Sequence, residues 1–188
     1  ITLCGKNHFG SFINGNAMRP PEGANLHQWL TRDEMGIYSP LVDLMSNADL
    51  GGKTVLYMLD ALICAPSEGS SITKENATWQ QEPFNGGYTA SVFVSQDPVA
   101  IDSVGADFLS NEPTVKDYNR AAASMNNENY LHEAGLVGNA PSGTAYADSR
   151  GNIVTNLGVH EHWNNSAEKK YSRNLRKHEG IELVKVSK

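Results

Sequence analysis

The sequence predicts an α/β fold with a mostly parallel or mixed sheet and helices packed on its faces. Apolar runs typical of strands alternate with segments whose apolar residues recur at helical spacing. The resulting order of strand, helix, strand, connection, strand and helix is typical of α/β proteins. The chain has 188 residues, 39% of them hydrophobic, which is enough for one domain with a substantial core. We therefore expect residues 1–188 to form a single domain, with 111–188 as a less regular extension.

The first half of the chain contains two predicted strands around one helix. Ile1–Cys4 is a short apolar run typical of a strand. A helix is predicted to begin after Ser39, which can cap it, with Pro40 at its first position. Gly51-Gly52 is expected to end that helix. The near-continuous apolar run Thr54–Leu59 then predicts a strand buried on both faces, as in a parallel sheet.

The second half begins with a long polar connection over 65–89, which could serve as a functional lid or rim. Ser91–Ser95 follows as a predicted strand. Asp97 before a proline predicts the N-cap of a helix that continues to about Leu109. Beyond residue 110 the sequence is polar and rich in asparagine. The remaining predicted elements are a helix over 116–126 and strands at Ile153–Leu157 and Ile181–Val186.

Composition argues against several classes of partner and cofactor. The net charge of −6 argues against a nucleic-acid groove or an anionic membrane surface as the main partner. The chain contains no apolar run of about 18 residues, so no membrane span is predicted. Cys4 and Cys64 are the only cysteines, and an iron–sulfur cluster normally takes four, so we expect no such cluster in this chain. A disulfide between the two stays open.

Three segments carry a resemblance to a known family. They are Lys6–Ser11, Thr54–Asp60 with its closing carboxylate, and Ser95–Ala106. In order and spacing they resemble the C-terminal half of the domain-of-unknown-function family 362, over roughly residues 1–110. Tyr130–Ala134 and Leu157–Trp163 are similar to an extension found in exported Bacteroidetes members of that family.

The resemblance implies an α/β fold, an N-terminal portion that precedes Ile1 and packs with this chain, and export to the periplasm or envelope. It implies no settled activity. Some members carry ferredoxin-like cysteine clusters and are discussed as redox proteins, whereas this chain contains only two cysteines. A redox role is therefore not expected here.

The glycine-framed stretch after the first strand is the first candidate site. Ligand crevices of open α/β sheets lie at the carboxyl ends of strands. Lys6, Asn7 and Ser11 could bind a carboxylate or phosphate there, and His8 could transfer protons. The alternative is a structural turn in which Asn7 satisfies backbone groups and Phe9 fills the core.

Two carboxylates are further catalytic candidates. Asp60 closes a buried strand, where it could line the crevice or, alternatively, cap the following turn. Asp102 lies on an apolar stripe of its helix, so it needs a partner, and Lys6 is available. The hypothesis is that Lys6, His8, Asp60 and Asp102 meet around one crevice. Asp97, by contrast, is explained by its capping role.

The histidines suggest a divalent metal site. His160 and His162 lie two residues apart, so an extended segment would point both to one face. His132-Glu133 could supply further ligands if the fold brings them close. The alternative is a set of hydrogen-bonded rim histidines packed beside Trp163.

Three functional hypotheses follow. The first is an enzyme or enzyme-derived domain that binds a small polar or anionic ligand at the strand carboxyl ends. Lys6, Asn7 and Ser11 would bind the ligand, and His8, Asp60 and Asp102 would act catalytically. The second is a non-catalytic binding module of the envelope, with Trp29, Trp79 and Trp163 as stacking platforms. The third is a scaffold that partners another subunit.

Overall fold

In the computed structural model, residues 34–66, 70–115 and 125–187 are described, with side chains from Asn127 onward in the last range. The first helix, α1, spans Pro40–Ser46 with proline in its first turn, as predicted; Ser39 occupies the N-cap position, but its side chain makes no capping hydrogen bond. It buries an apolar stripe whose members include Leu41 and Val42. The predicted end at Gly51-Gly52 is wrong, because α1 ends at Ser46 and Gly51 instead begins the short 3-10 helix Gly51–Lys53.

The described strands form two small antiparallel sheets. Strand β1, Tyr57–Ala61, pairs with β4, Ser91–Ser95, in a register that joins Tyr57 to Ser95 and Ala61 to Ser91. Between them lie α2 (Lys74–Ala77) and the two-residue strands β2 (Thr78–Trp79) and β3 (Gly87–Tyr88), which pair with each other. The fold thus combines helices with strands in an α/β arrangement, and no parallel pair occurs within the described ranges.

The prediction of a strand buried on both faces is wrong in two respects, namely the residue at which the strand begins and the burial of its second face. It begins at Tyr57 rather than at Thr54. Tyr57 and Leu59 face the core, whereas Met58 is 65% exposed on the opposite face. Successive strand residues point to opposite faces, and within the described residues the face of Tyr57 and Leu59 packs with Ile101 of the helix Pro98–Ser110. An apolar run alone does not distinguish the two situations.

Helix α3, Pro98–Ser110, is the centre of the described core. Asp97 caps it, as predicted, because its side chain accepts a hydrogen bond from Ala100 N at 2.8 Å. Different sides of α3 pack into three apolar clusters, through Val99, Val104 and Ile101 respectively. A helix covered on all sides has little access to water, so its polar side chains need protein partners.

In its described residues, the last part of the chain contains an α-helix, the short 3-10 helix Val137–Asn139 and little other regular structure. Helix α4 spans Met125–Gly135; most of the predicted helix over 116–126 lies outside the described residues. Neither Ile153–Leu157 nor Ile181–Val186 forms a strand, although Ile153 makes an isolated bridge with Ala147. Side chains hold the final segment instead, as where Asn174 bonds both backbone groups of Leu183. None of the described helices combines the length and apolarity required to cross a bilayer.

Candidate metal centre

Two packed helices and one extended segment build a cluster of histidines. Helices α3 and α4 contact each other, and each presents a polar pair at four-residue spacing. On α3 the pair is Ser103 and Asp107, and on α4 it is Glu128 and His132. The extended segment after residue 158 adds two histidines. We call the following four residues the histidine cluster: Glu128, His132, His160 and His162.

The imidazole rings of the cluster present Nε2 to one carboxylate oxygen, Oε2 of Glu128. The distance to this oxygen is 3.2 Å from His162, 3.9 Å from His160 and 4.0 Å from His132. The rings meet nearly edge to face, with centroids 4.7 Å apart for His132 and His160, and 4.9 Å apart for His160 and His162. Four side chains thus converge on one small volume.

Side chains of α3 contact the Nδ1 atoms of His160 and His162. Nδ1 of His160 lies 2.9 Å from Oγ of Ser103, and Nδ1 of His162 lies 2.7 Å from Oδ1 of Asp107. The other oxygen of Asp107 accepts hydrogen bonds from Trp163 N at 3.1 Å and from the hydroxyl of Tyr171 at 2.8 Å. Both rings are therefore fixed on the side that faces away from Glu128.

Glycines and a cap residue bring the histidine segment close to the helices. Gly158 has φ +145°, and a Cβ added there would lie 2.0 Å from Oδ1 of Asp97. The carboxylate of Asp97 in turn accepts a hydrogen bond from Val159 N at 2.9 Å. Farther along, a Cβ added at Gly135 would lie 2.8 Å from Cβ of His160. The close approach at these two points requires glycine.

The charges of the cluster shift the pKa values of its members in opposite directions. Hydrogen bonds to Asp107 and Glu128 raise the pKa of His162 to about 10. Burial, reinforced by the charges of His162 and His132, lowers the pKa of His160 to about 4. Burial tends to raise the pKa of Glu128, but the hydrogen bond from His162 and the nearby imidazoles lower it overall. The two histidine pKa values are therefore shifted in opposite directions, toward the charged form for His162 and toward the neutral form for His160.

The spacing of the donor atoms suits a divalent transition-metal ion. A tetrahedral zinc ion holds nitrogen and oxygen ligands at about 2.0–2.2 Å, which places them about 3.4 Å from one another. One ligand atom each from Glu128, His160 and His162 lie within 4.8 Å of one another. His132 lies beside this set. Its side chain and that of His162 are 42% and 48% exposed, so one side of the cluster faces solvent.

Of the residues of the predicted crevice, Asp60 and Asp102 lie in the described part of the chain. Asp60 is exposed and accepts a hydrogen bond from Leu62 N at 2.9 Å, which is the turn-capping alternative. It lies on the face of β1 opposite to Leu59, which packs with Ile101 of α3. Asp102 is 3% exposed within α3 and accepts a hydrogen bond from the Tyr130 hydroxyl at 3.0 Å. The remaining crevice candidates lie outside the described residues: Lys6, Asn7, His8 and Ser11.

Two further predictions concern Glu133 as a metal ligand and the tryptophans as stacking platforms. Glu133 is fully buried and bonds Ser142 and Tyr146, so it braces the segment after α4 and is not part of the cluster. Trp79 and Trp163 are 4% and 8% exposed and belong to the core, which leaves no surface for stacking a ligand.

Sequence reasoning missed three members of this site, namely Ser103, Asp107 and Glu128. A usable signal existed for each of them. Ser103 and Asp107 are polar residues four apart on a largely apolar helix, and Glu128 lies four residues before His132. The sequence alone does not show that the polar face of α3 and the polar face of α4 contribute to the same site.

A comparison of the chain with protein-family models, curated proteins and solved structures finds no match in any of the three. The resemblance to the domain-of-unknown-function family 362, and the export that it implies, therefore stay predictions.

Proposed function

We propose that this chain binds a divalent transition-metal ion at the histidine cluster. The observation that supports this best is the convergence of three Nε2 atoms on Oε2 of Glu128, at 3.2 to 4.0 Å. Glu128, His160 and His162 would be the ligands, with His132 beside the open side. In this structure Nε2 of His162 contacts Glu128 at 3.2 Å, and an incoming cation would take the place of a proton on that nitrogen.

The donor set indicates the class of metal. Imidazole nitrogen suits zinc, copper, iron and nickel, whereas magnesium and calcium take oxygen ligands almost alone. Two imidazoles and one carboxylate match the three-ligand sets of catalytic zinc sites, which leave a fourth position for water or substrate. Zn²⁺ is therefore the first ion to test.

The open side of the cluster supports a role in binding a small ligand. An ion held by three protein ligands attracts a small polar or anionic molecule, or lowers the pKa of a bound water so that it acts as a nucleophile. We propose an enzyme or enzyme-derived domain whose ligand binds at this ion. The earlier hypothesis of a crevice at the strand carboxyl ends, in a mostly parallel or mixed sheet, has no support from the described residues.

A scaffold or binding module of the envelope is the second candidate. The outer face of the β1–β4 pair favours it, because Met58, Val92 and Val94 are each at least half exposed there. Exposed apolar patches of this kind commonly mark interaction surfaces.

Zinc titration of the chelator-treated protein tests the proposal. We expect one Zn²⁺ per chain, and an added unfolding free energy of about 2.7 kcal/mol when free zinc is about 100 times its Kd. His160→Ala and Glu128→Gln should each lose most of this stabilisation. The control is His178→Ala, an exposed histidine away from the cluster, which should bind as the wild type does.

Two results would contradict the proposal. One is a wild-type chain that takes up no Zn²⁺, Co²⁺ or Ni²⁺ in the titration. The other is an affinity that stays the same in His160→Ala and Glu128→Gln, because zinc would then be bound elsewhere.

A further inference from the structure

The hydroxyl of Ser103 determines which nitrogen of His160 carries the proton. Oγ of Ser103 lies 2.7 Å from the carbonyl oxygen of Val99, one helical turn earlier, and 2.9 Å from Nδ1 of His160. A hydroxyl has one proton to donate, and a carbonyl oxygen can only accept. The proton of Ser103 therefore goes to Val99, and Ser103 accepts from His160. Neutral His160 thus carries its proton on Nδ1, which leaves the lone pair of Nε2 facing Glu128.

The carboxylate of Asp107 fixes the proton of His162 on Nδ1, as the hydroxyl of Ser103 does for His160. An ionised carboxylate only accepts hydrogen bonds, so Nδ1 of His162, 2.7 Å from Oδ1, must be the donor. Trp163 N and the Tyr171 hydroxyl bind the other oxygen and keep the carboxylate from rotating. Its side chain is only 6% exposed. The contact of Nε2 with Glu128 is longer, at 3.2 Å, so Nε2 is the nitrogen that an incoming ion would take while Nδ1 stays bonded to Asp107.

From this geometry we propose that Ser103 and Asp107 are positioning residues that set both imidazoles in the metal-binding tautomer before the ion arrives. This inference rests on the proposed metal site and specifies how its ligands are oriented. Histidines that bind metals generally donate their other N–H to a fixed acceptor, and loss of that acceptor weakens metal binding about ten- to a hundred-fold. The four-residue spacing places both acceptors on one face of α3, where they meet the segment that carries the two histidines.

Variants of the two acceptors test their effect on the ion. Zn²⁺ affinity would be measured by competition with a chromophoric chelator in wild type, Ser103→Ala, Ser103→Thr and Asp107→Asn. We expect Ser103→Ala and Asp107→Asn to bind zinc about ten- to a hundred-fold more weakly. Ser103→Thr keeps the hydroxyl and should retain more affinity than Ser103→Ala. The matched control is Glu112→Gln, a buried carboxylate that accepts hydrogen bonds from Gln80 N and Thr114 N away from the cluster. It should lose stability without a change in zinc affinity.

Nitrogen NMR of the metal-free wild type reads the tautomer directly. We expect neutral His160 to show a protonated Nδ1 and an unprotonated Nε2. This measurement needs no metal and no variant, so it distinguishes failure of the positioning role from failure of the metal site. An Nε2-protonated His160, or zinc affinities in Ser103→Ala and Asp107→Asn equal to that of the wild type, would overturn the inference.

Discussion

Oδ2 of Asp97 accepts a hydrogen bond from the backbone N–H of Val159, 2.9 Å away and 62 residues later in the chain. The other oxygen of the same carboxylate caps α3 through Ala100 N. One side chain therefore ties the start of the helix that carries Ser103 and Asp107 to the segment that carries the two histidines.

Asp97→Ser should separate the two roles of this carboxylate. Serine is a good N-cap, so the variant should lose less unfolding free energy than Asp97→Ala, whose cap loss is worth about 1 kcal/mol. The shorter side chain does not reach Val159, so the histidine segment is held less firmly and zinc affinity should fall in both variants. Urea unfolding and zinc titration measure the two effects. Thr73→Ala, which removes the cap of α2, is the control that should change stability alone. Unchanged zinc binding in Asp97→Ser would refute the anchoring role.

Gly158→Ala should be strongly destabilising. The backbone at φ +145° is a conformation that L side chains rarely adopt, and the new Cβ would meet Oδ1 of Asp97 at 2.0 Å. We expect a loss of about 2 kcal/mol or more in urea unfolding. Gly151→Ala is the matched control, because Gly151 also has positive φ but has open space around its Cβ position. Equal losses in the two variants would mean that contact with Asp97 contributes nothing.

Gly135→Ala should weaken zinc binding although alanine favours helices. Replacing a glycine at an unstrained helical position stabilises a helix by up to about 1 kcal/mol. Here the added Cβ would lie 2.8 Å from Cβ of His160, so this histidine must move away from α4 and from Glu128. Chelator competition measures the affinity, and thermal unfolding measures the stability. A variant that is more stable and binds zinc as tightly as wild type would contradict the close packing of α4 against His160.

The stability of the metal-free protein should fall as the pH rises from about 6.5 to about 10. Asp107 and Glu128 raise the folded-state pKa of His162 from 6.5 to about 10. A histidine with a raised pKa contributes stability that is complete below its unfolded value and is lost as the pH rises through its folded value. Urea unfolding in the presence of a chelator would measure the free energy of unfolding across this pH range. His162→Gln should show a weaker dependence, and the same slope in both proteins would disprove the linkage.

The sequence was sufficient to predict those structural features that depend on interactions between residues close together in the chain. Asp97 as a cap and Pro98 at the first position define the start of α3, and the structure has both. Pro40 likewise marks the start of α1, where Ser39 holds the N-cap position without a capping hydrogen bond. A cap and its helix lie within four residues, so their chemistry is visible in a short window. The prediction that His160 and His162 are candidate metal ligands likewise depended on their two-residue spacing.

Only the tertiary structure decided what those local elements meet. Glu128 reaches His162 across 34 residues, and Asp107 reaches it across 55, through the packing of α3, α4 and an irregular segment that no periodicity predicts. The same holds for β1, where a continuous apolar run was compatible with a strand buried on both faces, yet Met58 is 65% exposed on the face opposite to the one that packs with Ile101 of α3. Capping and spacing are properties of neighbouring residues, whereas the partner of a buried carboxylate depends on which distant surfaces pack together.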